Sequence, residues 1–438
     1  MQADLHSVAC APRAWRALCA TLCLLMACAQ QERARESTGS QSAAGAGGYG
    51  TPFAGASGAD ATASDAGPDA RHTLADAAEP ALEAGASVPS ATGYLHTQGA
   101  KLFDAQGHEV RLTGLSWFGL ETSNYAPHGL WSRSLGSMLD QIKSLGYNMI
   151  RLPFCSQLFD AGSTANGVDA NQNPDLVGVS GLALMDKVVQ AAGARGLKVV
   201  LDRHRPDSGA QSTLWYTSAY SEQRWIDDWK MLASHYKHNP TVIGFDLHNE
   251  PHAEATWGDG NTATDWRAAA ERCGNAVLDV NPDLLIIVEG VEKYGSTGGF
   301  WGGNLRGAKD HPVRLKVDGR LVYSVHEYPA SVFNQSWFSD PSYPNNLPAV
   351  WHDAWGYLVD DGLAPVWVGE FGTKDQTTSD KQWLHAFATY IDQRKLSFAY
   401  WCWNPNSGDT GGILQDDWIT VNQDKQSVLQ PLLAPLLP

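Results

Sequence analysis

The chain has 438 residues, of which 43% are hydrophobic and 18% are charged. This length and composition allow a sizeable buried core and exclude a chain that is disordered throughout. The formal net charge of −16 argues against a nucleic-acid partner, because an acidic surface repels phosphate backbones.

Residues 1–28 have the pattern of an export signal. Arg13 and Arg16 precede an apolar run that is too short to cross a bilayer as a helix. The run leads into Leu-Met-Ala-Cys at residues 25–28, which resembles a bacterial lipobox whose cysteine becomes the lipidated N-terminus. The same small residues also fit a cleavage that releases a soluble protein. We expect an exported protein and favour a cell-surface lipoprotein anchored through Cys28 over a freely secreted one, with no other membrane contact.

Residues 29–92 consist mainly of Ala, Gly, Ser and Asp, with few aromatic or β-branched residues. Such a segment cannot bury enough apolar surface to fold, so we expect a disordered, flexible linker. The folded part, residues 93–438, then forms a single domain. Its first residues, 94–111, alternate apolar and polar side chains around two glycines, which predicts one or two small hairpins.

Eight short apolar runs, separated by amphipathic helical segments, follow along the chain. They cover residues 110–117, 148–153, 198–203, 242–248, 284–289, 321–328, 365–370 and 398–403. Several are almost entirely apolar, as expected for parallel strands that are buried on both faces. Eight strand–helix units predict an α/β fold, a closed (β/α)₈ or TIM barrel.

Polar or aromatic residues stand at or near the ends of six of these strands. They are Arg151, His204, Asn249, Glu250, His326, Tyr328, Glu370 and Trp401. In a barrel of this kind the chemistry takes place where the strands end, at the C-terminal face. One polar strand end means little, but six that converge on one face are hard to explain as structure alone.

Glu250 and Glu370 end strands four and seven, which lie across the mouth of the barrel from each other. Singly, each could be a cap or a surface acid, but as a pair they fit a retaining glycosidase, which needs two carboxyl groups about 5–5.5 Å apart. Two close carboxylates resist ionising together, so we expect one to keep a proton near neutral pH. Arg151 could hold the other one ionised, or it could be an ordinary buried ion-pair partner. Glu289 also ends a strand, and we expect it to support the site.

Four segments carry a specific family resemblance. They read LDRHRP at residues 201–206, FDLHNEP at 245–251, GEFG at 369–372 and WNPNSGDTGG at 403–412. They closely resemble bacterial cellulases of glycoside hydrolase family 5. The resemblance extends from about Gly93 to the C-terminus.

The resemblance implies roles for the two glutamates and their neighbours. Glu250 would be the acid/base and Glu370 the nucleophile. Asn249 would bind the 2-hydroxyl of the sugar being cleaved, and Arg151 and Tyr328 would hydrogen-bond the nucleophile.

It also implies which side chains line the cleavage subsite. These are His204 and His326, with Trp401 under the sugar ring; from position alone, the two histidines could equally be satisfied core residues. Flat aromatic faces suit sugar rings, so we expect about half of the tryptophans near strand ends to line the groove and the others to pack. They are Trp117, Trp131, Trp215, Trp257, Trp301 and Trp403, and we include Trp117 and Trp403 among the substrate-binding or supporting residues.

The sequence leaves several functions to be compared. The main hypothesis is an endo-acting, retaining β-1,4-glucanase that binds β-glucan, acts as a monomer and needs no cofactor or metal. The alternatives are a related β-glycanase for mannan, xyloglucan or mixed-linkage glucan, and a surface glycan-binding lipoprotein with an inactive site. A metalloprotease is disfavoured: HNEPH at residues 248–252 superficially resembles a zinc motif, but Pro251 marks a strand end rather than the helix that the motif needs.

Overall fold

The computed structural model describes residues 93–437. The export signal predicted for residues 1–28 and the linker predicted for residues 29–92 lie outside this range. The predicted hairpin region is an antiparallel sheet with the order β1-β2-β3. Its strands are β1 (His96–Gln98), β2 (Lys101–Phe103) and β3 (Glu109–Val110). Leu102 of β2 packs with Met149 and Val200 at the N-terminal end of the barrel, so this sheet contributes to the core at the end opposite the polar strand ends.

The predicted (β/α)₈ barrel is confirmed, because eight parallel strands close into one ring in chain order. The ring begins with β4 (Thr113–Ser116), β5 (Met149–Cys155), β6 (Lys198–Arg205), β7 (Val242–Asp246) and β8 (Leu285–Glu289). A short hairpin of β9 (Lys293–Tyr294) and β10 (Thr297–Gly298) follows in the next loop. The ring ends with β11 (Leu321–Glu327), β12 (Val366–Phe371) and β13 (Ser397–Tyr400). Its strands are almost entirely buried, which explains their apolar sequences.

One strand boundary differs from the prediction. Strand β5 continues to Cys155, so Arg151 lies within the strand and not at its end. Arg151 pairs with Ser116 of β4 on one side and Val200 of β6 on the other, and its side chain is completely buried. Arg151 therefore reaches the site from inside the barrel.

Helices surround the ring. They are α1 (Leu135–Ser144), α2 (Gly181–Gly193), α3 (Glu222–His235), α4 (Trp266–Val280), α5 (Leu347–Trp351), α6 (Tyr357–Asp360), α7 (Thr378–Arg394) and α8 (Gln423–Leu429). A π-helical turn, His352–Gly356, joins α5 to α6. None of the helices within residues 93–437 is both long enough and apolar enough to cross a membrane.

Helix α1 illustrates how the local sequence sets these elements. The Ser134 side chain accepts a hydrogen bond from the Ser137 N–H and caps the first turn. Met138, with its neighbours at helical spacing, is buried against the barrel. Gly146 follows the C-cap with φ +94°, a conformation that glycine adopts without strain, so the helix ends there.

Buried tryptophans connect the helices to the strand ends that carry the polar residues. The indole N–H groups of Trp225 and Trp229, both on α3, donate to the Leu247 carbonyl at 2.8 and 3.0 Å. The indole N–H of Trp266, on α4, donates to the Glu289 carbonyl at 2.8 Å. These bonds satisfy backbone oxygens where the ladder of the sheet stops, and so they help to hold the segment that carries Glu250.

Candidate active site

The two glutamates meet at the C-terminal mouth of the barrel. Glu370 belongs to β12, whereas Glu250 lies in the turn just beyond β7. One oxygen of each carboxylate and one ring nitrogen of His326 all lie within 4.8 Å of one another. The two acids can therefore contact the same small group from opposite sides.

Glu370 is held by two donors, one on each carboxylate oxygen. The Arg151 Nη1 donates to Oε1, and the Tyr328 hydroxyl donates to Oε2 at 2.6 Å. The structure thus places both residues on Glu370, where the resemblance put them. Burial, followed by the charge of Glu370, raises the pKa of Tyr328 well above its ordinary value, so its hydroxyl keeps its proton and remains a donor to Glu370 at neutral pH.

Arg151 is surrounded by further carboxylates inside the barrel. Its Nη2 lies 3.1 Å from Asp202, 3.0 Å from Asp246 and 3.4 Å from Glu289. Burial alone would lower the pKa of Arg151, but these charges and that of Glu370 outweigh it and raise the pKa. Arg151 is therefore a permanent cation beside Glu370.

Asp202 and Asp246 were not among the predicted site residues. Burial raises the pKa of Asp202 to about 6 and that of Asp246 to about 7, although Arg151 acts in the opposite direction. The sequence did carry a signal for them, since Asp202 and Asp246 each stand within one of the quoted family segments, at residues 201–206 and 245–251. Buried charges of this kind need a partner, and here the partner is Arg151.

Glu250 is held through its backbone and through both carboxylate oxygens. Its backbone N–H donates to Glu289 Oε2 at 2.7 Å, which gives Glu289 the supporting position that was expected. Its Oε1 lies 3.0 Å from His326 Nδ1, and its Oε2 accepts a bond from Gln211 Nε2 at 3.2 Å. Gln211 lies in the loop between β6 and α3, and nothing in its sequence context marked it.

His326 lies between the carboxylates of Glu250, Glu289 and Glu370 and competes with the two catalytic candidates, Glu250 and Glu370, for the proton that one of them was expected to keep. Burial alone would lower the pKa of His326, but the charges of Glu289 and Glu370 and the bond to Glu250 raise it well above its ordinary value. Burial alone would raise the pKa of Glu250, but the bond to His326 and its charge bring the pKa below its ordinary value. The proton expected on one glutamate is therefore held mainly by His326 in the free protein, across its hydrogen bond to Glu250.

The expected place of His326 in the lining of the cleavage subsite stays a prediction. Its side chain is 0% exposed, as is that of Asn249, and its Nδ1 lies 3.0 Å from Glu250 and 3.6 Å from Glu370. Its ring Nε2 approaches Glu289 Oε1 to 3.2 Å. From inside the barrel, His326 orients Glu250 and influences how Glu250 and Glu370 share a proton.

His204 and Trp401 form the floor beside Glu370. Their rings are parallel within 4°, with centroids 5.3 Å apart, and Phe118 stacks on the Trp401 ring at 5.6 Å. His204 Nδ1 lies 2.7 Å from Asp202 Oδ2. Burial lowers the pKa of His204 to about 3, so the ring is neutral and donates its Nδ1–H to Asp202. Trp401 remains half-buried, with surface left for a ligand.

Asn249 is turned toward the same centre. Its Oδ1 accepts a bond from Arg151 Nη2 at 2.9 Å, which fixes the orientation of the amide. Within residues 93–437, its buried Nδ2 has no hydrogen-bond partner. A buried amide donor without a partner costs free energy, so Asn249 has a donor available for a ligand.

Trp117 and Trp403, which we included among the substrate-binding or supporting residues, fit only the supporting role. Trp117 and Trp403 are both 0% exposed and belong to the main hydrophobic core. Trp117 is fixed further by a 2.9 Å bond from its indole N–H to the His128 carbonyl. Both residues follow barrel strands, but their rings turn into the core, so neither can touch a sugar.

The other tryptophans near strand ends separate into two groups. Trp215 and Trp257 are buried. Trp131 and Trp301 are 40% and 41% exposed, and each lies in a loop at the mouth of the barrel. Among the tryptophans near strand ends, the rings available to a ligand are therefore those of Trp131, Trp301 and Trp401.

Comparison with known proteins agrees with this geometry. The family model described as Cellulase (glycosyl hydrolase family 5) matches residues 103–407. An endoglucanase from Paenibacillus polymyxa is 54% identical over 357 residues, which cover 80% of this chain and 90% of that relative.

Solved structures give the same result. The catalytic domain of the major endoglucanase from Xanthomonas campestris pv. campestris is 43% identical with a TM-score of 0.74, covering 78% of this chain and 99% of that one. A cellotetraose complex of an endocellulase from Pyrococcus horikoshii is 41% identical with a TM-score of 0.74 and the same coverage. The chain therefore belongs to glycosyl hydrolase family 5, the cellulase family.

Proposed function

We propose that this family 5 hydrolase cleaves internal β-1,4-glucosidic bonds of cellulose or related β-glucans with retention at the anomeric carbon. The observation that carries the proposal is the approach of the Glu250 and Glu370 carboxylate oxygens to within 4.8 Å. Direct attack on the sugar requires carboxyl groups about 5–5.5 Å apart, whereas inversion through a water needs about 6.5–9.5 Å. The separation of these oxygens is closer to the retaining range than to the inverting one.

In the first step Glu370 attacks the anomeric carbon while the leaving oxygen takes a proton from Glu250. Arg151 and Tyr328 orient the attacking carboxylate. The proton held by His326 in the free enzyme passes through its bond to Glu250 and then to the leaving oxygen. The product of this step is a glycosyl ester on Glu370.

In the second step a water attacks the anomeric carbon of the glycosyl ester and gives its proton to Glu250. The bond between the sugar and Glu370 breaks, and the carboxylate returns to its two donors. Two inversions at one carbon give net retention. The Nδ2 of Asn249 is the donor that we assign to the 2-hydroxyl of the sugar in both steps.

The substrate assignment rests on the relatives and on the aromatic surface. The relatives from Paenibacillus polymyxa and Xanthomonas campestris pv. campestris are named endoglucanases, and the Pyrococcus horikoshii structure contains cellotetraose. Three accessible rings, of Trp131, Trp301 and Trp401, suit a chain of several neutral sugars. We assign β-glucan as the substrate and an endo mode of action.

Two measurements test this function. Proton NMR of the first products from a soluble β-glucan should detect the β-anomer before mutarotation, and an initial α-anomer would contradict retention. Initial rates on carboxymethyl cellulose, mixed-linkage glucan, xyloglucan, mannan and xylan should be highest on the β-1,4-glucan. A higher rate on mannan would assign the related β-glycanase instead, and no turnover of any of them would indicate a glycan-binding protein.

We also propose that the enzyme is exported as a monomeric lipoprotein anchored through Cys28, on the basis of the lipobox-like residues 25–28. Mass spectrometry of the mature N-terminus should find a diacylglyceryl-modified Cys28, and Cys28→Ala should release the enzyme from the membrane fraction. An unmodified N-terminus would contradict the anchor. Light scattering of the detergent-free catalytic domain should give the mass of one chain.

A further inference from the structure

Asp202 connects two parts of the site. It lies on barrel strand β6 two residues before His204, so both side chains point to the same face of the strand. Its Oδ2 lies 2.7 Å from His204 Nδ1 and 3.1 Å from Arg151 Nη2. One carboxylate oxygen therefore contacts both the cation that holds Glu370 and the ring that stacks on Trp401.

The contact with Asp202 decides which nitrogen of His204 carries the proton. Burial raises the pKa of Asp202 only to about 6, so its carboxylate is mainly ionised at neutral pH. An ionised carboxylate only accepts hydrogen bonds, so the nitrogen that faces it, Nδ1, must be the donor. Burial lowers the pKa of His204 to about 3, and a neutral imidazole has a single N–H. The other ring nitrogen, Nε2, therefore keeps a lone pair and can only accept a hydrogen bond.

The Nε2 atom of His204 opens toward the groove. The ring is parallel to that of Trp401 within 4°, and its Nδ1 lies 4.0 Å from Glu370 Oε1. In the part of the chain that the structure describes, no group is hydrogen-bonded to Nε2, and this atom is not completely buried. A hydroxyl of a ligand in the groove can therefore donate to it.

The sugar being cleaved offers a limited set of hydroxyl donors. Inside a β-1,4-glucan its 4-oxygen belongs to a glycosidic bond, which leaves the hydroxyls at positions 2, 3 and 6. We assigned the 2-hydroxyl to the Nδ2 donor of Asn249, which lacks a partner in the described residues. An acceptor at His204 Nε2 therefore suits the 3- or the 6-hydroxyl.

We propose that Asp202 is a positioning residue that holds His204 as the Nδ1–H tautomer, so that Nε2 accepts a hydrogen bond from the 3- or 6-hydroxyl of the sugar being cleaved. The inference rests on the proposed function, which supplies that sugar. His204 is then an acceptor in the subsite in which Asn249 is a donor. A sugar in which this hydroxyl is missing or blocked is bound less well, because the acceptor is left without a partner.

NMR measures the tautomer directly and without turnover. In enzyme labelled with ¹⁵N-histidine, long-range ¹H–¹⁵N spectra separate a protonated ring nitrogen from one with a lone pair, and His204→Gln identifies the signals of His204. At neutral pH we expect a protonated Nδ1 and an unprotonated Nε2. In Glu370→Gln, saturating cellotetraose should shift the Nε2 signal more than the Nδ1 signal. A protonated Nε2 in the wild-type enzyme, or no shift of either nitrogen with cellotetraose, would overturn the proposal.

Kinetics test the role of Asp202 against a matched control. Asp202→Ala removes the acceptor for Nδ1, whereas Asp246→Ala removes a carboxylate 3.0 Å from the same Arg151 nitrogen and leaves the contact with His204 in place. The readout is kcat/KM for an aryl β-cellobioside divided by kcat/KM for its analogue without the 3- or the 6-hydroxyl on the sugar next to the aryl group. For one of the two analogues, Asp202→Ala should reduce this ratio about 2- to 12-fold, which corresponds to one neutral hydrogen bond. Asp246→Ala should keep the wild-type ratio.

Asp202→Asn should restore the ratio. Because the Arg151 cation lies beside the Oδ2 position, the amide oxygen of asparagine should occupy it and still accept from Nδ1. A wild-type ratio in Asp202→Ala, or an equal reduction in Asp246→Ala, would show that Asp202 does not position His204. The wild-type NMR spectrum decides the tautomer even where Asp202→Ala does not fold. Wild-type enzyme that turns over no β-glucan or β-cellobioside would instead overturn the proposed function.

Discussion

Replacing Tyr328 by phenylalanine removes one of the two donors that hold Glu370. The hydroxyl lies 2.6 Å from Glu370 Oε2, and the ring is largely buried against Phe300. The substitution deletes one oxygen and leaves the ring in place, while Arg151 still holds the other carboxylate oxygen. The carboxylate can then turn about that single contact, and attack is sensitive to such misalignment.

The expected magnitude follows from the strength of the lost bond. A hydrogen bond to a charged group contributes about 1.5–3 kcal/mol, which corresponds to a loss of about 10- to 150-fold in kcat/KM at 1.4 kcal/mol per factor of ten. The assay is kcat/KM on cellopentaose at the pH of highest activity. Retention of the product anomer should be unchanged, because Glu370 is still present.

Tyr357→Phe is the matched control. Tyr357 also donates a partly buried hydroxyl bond, at 2.8 Å to the Leu305 carbonyl, but it lies on helix α6 away from the two glutamates. Tyr357→Phe should lose about 0.5–1.5 kcal/mol of unfolding free energy and Tyr328→Phe about 1.5–3 kcal/mol, and only Tyr328→Phe should lose activity. If the two variants keep wild-type activity to within a factor of two, the reasoning about Glu370 is refuted.

Three other perturbations follow from the same structure. Glu370→Gln should lower kcat by more than about 10³-fold, since removing a catalytic nucleophile leaves only binding and electrostatic contributions. The control Glu271→Gln, on the outside of α4, should keep its activity. Comparable activity of the two variants would contradict the assignment of Glu370 as the nucleophile. His326→Gln should lower kcat/KM and move the basic limb of the kcat/KM–pH profile to lower pH. The reason is that the pKa of His326 is raised, so that its proton is lost only as the pH rises through that raised value. An unchanged pH profile would contradict a proton shared between His326 and Glu250. Leu139→Ala empties a fully buried position on α1 and should cost about 2–5 kcal/mol of unfolding free energy by urea titration without changing KM; a cost near zero would mean that α1 does not pack as described.

The buried charges explain why the site is sensitive to such changes. Arg151 compensates several carboxylates at once, so removing it would leave Asp202 and Asp246 buried without their cation. Breaking a buried ion pair on one side is strongly destabilising, whereas replacing both partners need not be. The arrangement that orients Glu370 is therefore also a structural unit of the barrel interior.

The sequence by itself determined the barrel and singled out Glu250 and Glu370 as a pair at its mouth. Buried parallel strands must be apolar on both faces, and helices must alternate with them. The eight apolar runs and the amphipathic helical segments between them can therefore be recognised in the sequence without a structure. Glu250 and Glu370 could be found because two carboxylates at strand ends on the C-terminal face of one barrel are hard to explain by structure alone. Family motifs around them then supplied the roles, including the contacts of Arg151 and Tyr328 with Glu370.

Only the tertiary structure decided what surrounds that pair. Trp117 and Trp301 both follow barrel strands in sequence, yet one ring is buried and the other exposed, because side-chain direction depends on packing against other elements. His326 is buried beside the glutamates and holds the proton, since three carboxylates and their distances set its charge and none of those distances is local in sequence. Gln211 reaches Glu250 from a loop with no motif. Local pattern specifies the elements, and the electrostatics of the site arises from contacts that only folding creates.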